Sequence, residues 1–88
     1  MIEDEFVNNI KKLHWACRRG MLELDVLLGN FLNNAYPGLP LAEKELFVRL
    51  LGCTDPDLFA WLVKSEVPED KDFVIIIDLI RNHARSRV

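Results

Sequence analysis

Proline and glycine divide this 88-residue chain into five segments, and within each segment apolar residues recur every three or four positions. That spacing is typical of helices that bury one face. The segments cannot merge across proline, because proline lacks a backbone donor and disfavours helical geometry in the residue before it. The predicted helices span about residues 3–18, 21–35, 41–51, 55–64 and 69–85.

The last segment has a second interpretation, since residues 73–77 are aromatic or β-branched and would also suit a buried strand. However, acidic residues precede this stretch and basic residues follow it, which matches the dipole of a helix at both ends. The chain offers no second strand to pair with it, and an isolated strand is unstable. The sequence therefore predicts an all-α fold, a small five-helix bundle forming a single domain over residues 1–88.

Composition excludes several classes of protein. Half of the residues are hydrophobic and 28% are charged, which indicates a folded, soluble domain with a core. A net charge of −3 argues against a nucleic-acid partner. No apolar run approaches the roughly 20 residues that a membrane span needs, so we expect no membrane insertion. The acidic start of the chain and the two cysteines, Cys17 and Cys53, favour a cytoplasmic protein with reduced thiols.

Metal binding and catalysis find little support in the sequence. His14 and Cys17 stand three residues apart, and Cys53 and His83 could complete a tetrahedral zinc site, but each of the latter stands alone. No phosphate-binding loop or nucleophile motif is present. Cys17 falls on an apolar stripe, where a packed thiol is inert. We therefore expect neither an enzyme nor a metal site.

A DNA-binding helix-turn-helix is the next alternative, because residues 46–54 form the end of a helix and a short turn and are followed by a second, short helix. The recognition helix would begin with Asp55 and Asp57, and Lys64 would be its only cation. Two carboxylates would then face the phosphates, whose neutralisation supplies much of the affinity in such complexes. An ordinary helical corner is the better interpretation, and DNA binding is the less favoured one.

The bend between the first two predicted helices carries the residues most suggestive of function. Cations and rings gather there: Lys11, Lys12, His14, Trp15, Arg18 and Arg19. Gly20 would let another protein's backbone approach closely, and Trp and Arg are common at interface hot spots. Alternatively, Arg19 and Glu23 pair with each other, which would stabilise the fold by only about 0.3–0.5 kcal/mol. The residues alone leave both interpretations open.

The same bend resembles a known family. Arg19-Gly20-Met21-Leu22-Glu23 matches the Arg-Gly-x-x-Glu hallmark of the small bacterial and mitochondrial assembly factors for succinate dehydrogenase flavinylation. Those factors promote covalent attachment of FAD to the flavoprotein subunit of succinate dehydrogenase. The residues on either side of the hallmark also match the family, namely Arg18 before it and Leu24-Asp25 after it. Later matches are the end of the third predicted helix at Leu51-Gly52, the start of the fourth at Thr54-Asp55-Pro56, and the fourth helix itself, which is short and carries Leu58 and Trp61. The resemblance covers nearly the whole chain.

Membership would imply a five-helix bundle that performs no redox chemistry and binds the flavoprotein subunit of succinate dehydrogenase, and also that of fumarate reductase. By resemblance, the contact core is Arg19, Gly20 and Glu23, with Arg18, Trp15 and Asp25 as neighbours. The protein would hold no cofactor of its own and would shape the flavoprotein around FAD without contacting FAD. It would act as a monomer in a bacterial cytoplasm. The alternative is a helical adaptor or antitoxin-like regulator with an unrelated partner.

Overall fold

The computed structural model describes residues 8–86, which form five α-helices and no strand. The helices are α1 (Ile10–Cys17), α2 (Leu22–Asn34), α3 (Leu41–Leu50), α4 (Asp55–Leu62) and α5 (Lys71–Ser86), with a 3₁₀ turn at Tyr36–Gly38. The all-α prediction is confirmed, and residues 73–77 lie inside α5. The last four helices agree with the predicted bounds to within two residues at each end.

The first helix is shorter than predicted, because Asn9 interrupts it. Asn9 has an extended backbone (φ −93°, ψ 91°), and its side-chain oxygen accepts a hydrogen bond from the Lys12 N–H at 3.1 Å. Asparagine competes in this way with the helical backbone, so α1 begins at Ile10. Ile10, expected on the buried stripe, is 43% exposed. Residues 3–7 of the predicted helix, including Phe6, lie outside the described residues.

One hydrophobic core lies between the helices. In the described residues, α5 packs against α2, α3 and α4, and α2 also contacts α1 and α4. Phe47 of α3 lies at the centre, with ring centroids 5.3 Å from both Phe31 and Tyr36. Tyr36 belongs to the 3₁₀ turn, a segment predicted only as a break, yet it is buried. This core fixes where the two helical corners, α1–α2 and α3–α4, stand relative to each other.

The α3–α4 corner has the capping chemistry that its sequence predicts. Leu51 ends α3, and the Thr54 hydroxyl accepts a hydrogen bond from the Asp57 N–H at 3.4 Å. Asp55 and Asp57 lie in the first turn of α4, where negative charge is favoured by the helix dipole. No helix of residues 8–86 has the length and hydropathy to cross a membrane.

Candidate functional site: the α1–α2 corner

The α1–α2 corner is the four-residue connection, residues 18–21, between the end of α1 at Cys17 and the start of α2 at Leu22. We take the corner to include the side chains of the adjacent helical turns. α1 ends at the buried Cys17, and Arg18 is extended (φ −77°, ψ 126°) while its N–H still donates to the Trp15 carbonyl at 3.2 Å. Met21, which precedes α2, makes no side-chain cap. Instead, the Asp25 carboxylate in the first turn of α2 accepts a hydrogen bond from the Arg19 N–H. The second helix thus holds the connection that leads into it.

Arg19 points inward and joins this corner to the α3–α4 corner. Its Nη1 donates to the Cys53 carbonyl at 3.2 Å and lies 3.4 Å from Asp55 Oδ1, while Nη2 donates to the Leu51 carbonyl. The Arg19 side chain is 13% exposed. The two carbonyls lie at the C-terminal end of α3, where the helix dipole is negative and favours a cation. Asp55, the first residue of α4, adds a carboxylate on the other side. The guanidinium therefore occupies a position where both neighbouring helix ends favour it.

Asp55 completes the junction because it binds two groups of the α1–α2 corner at once. Its Oδ2 accepts a hydrogen bond from the Gly20 N–H at 3.2 Å, while Oδ1 faces Arg19. We call this arrangement of Arg19, Gly20 and Asp55 the corner clamp. Arg19 Nε is also buried and has no hydrogen-bond partner, so Asp55 and the two carbonyls leave at least one donor of the guanidinium unpaired.

Glycine is not required at position 20 by the fold itself. Gly20 does not adopt a left-handed backbone conformation. A Cβ there would meet only Asp55 Oδ2, at 3.6 Å, which is ordinary van der Waals contact. The residue is exposed, so a long side chain would extend outward from the corner. The packing of the chain itself therefore does not require glycine at position 20.

The structure separates the six predicted contact residues into two groups. Arg18, Gly20 and Glu23 are exposed, and Trp15 is 75% exposed. By contrast, Asp25 is half-buried and Arg19 is turned inward. Among residues 8–86, Arg19 forms its ion pair with Asp55, so the alternative Arg19–Glu23 pair is wrong. A role of the six residues in partner binding stays a prediction.

The two thiols are poorly suited to nucleophilic chemistry. Burial raises the pKa of Cys17 to about 12, and the thiol lies 3.8 Å from the Leu28 carbonyl. Burial also raises the pKa of Cys53, with the nearby Asp57 charge adding to the effect. Both cysteines are therefore protonated at neutral pH, and a thiol is a weak nucleophile. Within the described stretch, no group of three or more His, Cys, Asp or Glu side chains could hold a metal ion.

Comparison with known proteins gives this corner its context. Residues 11–84 match the family described as flavinator of succinate dehydrogenase. The chain is 46% identical over 81 residues to the FAD assembly factor SdhE of Photorhabdus laumondii, covering 92% of each protein. It is 49% identical over 76 residues to that of Shewanella oneidensis, covering 86% of this chain and 93% of the other. The protein of the same name from Yersinia pseudotuberculosis is 42% identical over 81 residues, covering 92% of each. The matched region contains the corner clamp and reaches from α1 into α5, and the chain belongs to the succinate dehydrogenase flavinator family.

Proposed function

We propose that this protein is an assembly factor that binds the flavoprotein subunit of succinate dehydrogenase and promotes covalent attachment of FAD to it. The observation that carries the proposal is the family match over residues 11–84, which includes the whole α1–α2 corner. Three relatives that are 42–49% identical to this chain over the aligned residues bear the name FAD assembly factor. The chain's exposed corner supplies the surface through which such a factor would dock.

The docking contacts are made by the exposed part of the corner. Trp15 offers a large apolar surface that is free to be buried, and Arg18 and Glu23 offer one charge of each sign. The bare backbone at Gly20 lets the flavoprotein approach closely, which explains a glycine that the fold does not need. Arg19 acts as a positioning residue, because the corner clamp fixes the shape of this surface.

The assembly factor supplies no catalytic group. Both thiols are held protonated, and Arg18, Glu23 and Trp15 offer two charges and an indole ring for docking. Attachment would proceed within the flavoprotein, between one of its own side chains and FAD. A bound partner accelerates such a step by favouring the arrangement in which the two groups meet. The population shift is limited by the difference in affinity for the two arrangements, and correct positioning is worth several kcal/mol, at most about 7–11.

The remaining expectations follow from this role. The protein holds no cofactor of its own, acts as a monomer in the cytoplasm, and serves the flavoprotein of fumarate reductase through the same surface. Co-purification with each flavoprotein subunit from a cytoplasmic extract tests the partners and the compartment. Light scattering and the absorbance spectrum of the purified protein test the oligomeric state and the bound cofactor.

The proposal is tested by the covalent flavin content of the flavoprotein subunit, read as in-gel flavin fluorescence in cells that lack the endogenous factor. Wild-type protein should restore the fluorescence, and Gly20→Arg and Glu23→Ala should reduce it with little change in melting temperature. Gly38→Arg is the matched control, since Gly38 is also exposed and a Cβ there meets nothing within 4 Å. If wild-type protein leaves covalent flavin unchanged, the proposed function is wrong. If Gly20→Arg is as active as Gly38→Arg, the corner is not the docking surface.

A further inference from the structure

A second exposed surface begins beside the corner, on α2 and α4. Leu22, Val26 and Val63 are 74%, 50% and 40% exposed. Together with Glu23, Leu27 and Leu62 they line an open groove of about 540 Å³, which we call the α2–α4 groove. Scattered exposed apolar residues are common on protein surfaces, but a contiguous apolar groove marks an interaction site more often.

The groove continues toward the C-terminal half of α5, where its lining changes from apolar to polar and positively charged side chains. Leu27 and Leu62 also line an adjoining depression of about 320 Å³, whose wall includes Ser65, Arg81 and Arg85. Arg81 donates to the Ser65 hydroxyl at 2.9 Å. None of the ion pairs formed among residues 8–86 involves Arg81 or Arg85. The apolar floor therefore leads to two cations that lack an anionic partner in the described part of the chain.

We propose that the α2–α4 groove docks an apolar segment of the flavoprotein that carries a carboxylate where it meets Arg81 and Arg85. This inference rests on the proposed function and names the chemistry of the partner. Glu23 belongs both to the Arg-Gly-x-x-Glu corner and to the rim of the groove, so a partner seated on the corner is adjacent to the groove. The two cations then select a segment with an acidic end.

The length of the groove limits the size of the segment. Leu22 and Leu27 are separated by five residues of helix, or about 7.5 Å at 1.5 Å per residue. That distance accommodates about two apolar side chains on one face of the segment, because residues on the same face recur about every 6.6 Å in a strand and about every 5.4 Å in a helix. Burying the exposed parts of Leu22, Val26 and Val63 supplies the apolar part of the affinity, and the charge contact orients the segment.

The experiment measures binding of the purified flavoprotein subunit without covalent flavin, by isothermal titration calorimetry. Leu22→Asp should raise Kd about tenfold or more, because it places a carboxylate in the apolar floor. Leu22 is the first residue of α2, where the helix dipole favours a negative charge, so the variant should fold. Arg85→Glu should raise Kd several-fold and weaken its dependence on salt. Val67→Asp is the control, since Val67 is 77% exposed and lies outside the groove.

The outcomes separate this inference from the function on which it rests. If wild-type protein does not bind the flavoprotein, the proposed function itself is wrong. If wild-type protein binds and Leu22→Asp binds equally well, or Val67→Asp weakens binding as much, the groove is not a docking site. Light scattering on the free protein tests the remaining alternative, in which the groove joins two copies of this chain. A wild-type dimer that Leu22→Asp dissociates without changing flavoprotein binding would show that the groove joins two copies, which would overturn the inference.

Discussion

Replacing Asp55 with alanine should lower the free energy of unfolding by about 2 kcal/mol, because one carboxylate holds two helical corners together. The change removes the acceptor of the Gly20 N–H, 3.2 Å away, and the carboxylate 3.4 Å from Arg19. A hydrogen bond to a charged group contributes about 1.5–3 kcal/mol, and breaking a fully buried ion pair costs about 3–5 kcal/mol. The side chains of Arg19 and Asp55 are 13% and 28% exposed, so water replaces part of what is lost and the lower range applies.

Urea denaturation followed by circular dichroism measures this effect, and Asp57→Ala is the matched control. Asp57 lies in the same first turn of α4, but its side chain forms no ion pair with any other residue between 8 and 86. Its removal costs only the interaction with the helix dipole, about 0.5 kcal/mol. In a domain of this size, a loss of 2 kcal/mol lowers Tm by about 10 °C.

A double-mutant cycle isolates the clamp from other effects of the substitution. Arg19→Met and Asp55→Ala should show a coupling energy of about 1 kcal/mol or more, since the two side chains are in direct contact. The reasoning is refuted if Asp55→Ala destabilises the protein no more than Asp57→Ala does, or if the two changes at positions 19 and 55 are additive.

Three further predictions concern other parts of the molecule. The raised pKa of Cys17, about 12 against an ordinary value of 9.0, means that the unfolded chain ionises first, so stability should be retained below about pH 9 and fall as pH rises toward 12. Urea midpoints in Cys17→Ala should lack this loss of about 1.4 kcal/mol per pH unit. The raised pKa values of Cys53 and Tyr36 lower stability at high pH in both proteins, from about pH 9 and about pH 10. Trp15→Ala should leave the unfolding free energy within about 0.5 kcal/mol of wild type, because the ring is 75% exposed. The same change should weaken binding to the flavoprotein by about fivefold or more, and a large loss of stability would show that Trp15 supports the fold instead of docking. Asn9→Ala should cost about 1 kcal/mol through loss of the α1 cap, and unchanged thermal unfolding would show that the cap is not formed.

The helices could be predicted because their signals are local. Apolar spacing reports which face of a segment is buried, and Thr54 and Pro56 mark the start of α4 within a few residues of the chain. In α5 the charges at both ends predicted a helix in spite of the β-branched run between them, and the structure confirms the helix. Asn9 shows the limit of periodicity, since its side chain accepts a backbone hydrogen bond and starts α1 at Ile10, where the apolar pattern alone predicted a continuous helix.

The corner clamp could not be predicted because its members are distant in sequence. Arg19 and Asp55 are 36 residues apart, and the sequence offered Glu23 as a nearer carboxylate at helical spacing. The tertiary packing of the helices, including that of α2 against α4, brings the two corners together. Tyr36 was missed for a related reason, because proline and glycine mark the end of a helix without indicating that the turn itself lies in the core.

The corner clamp also has a thermodynamic consequence for association. A connection of four residues between two helices would normally sample many conformations, and a partner would have to order it. Here the guanidinium of Arg19 and the N–H of Gly20 are both anchored on Asp55, so this restriction is already in place before any encounter. The loss of conformational entropy belongs to folding and not to complex formation, and preorganisation of this kind raises affinity without adding a single intermolecular contact.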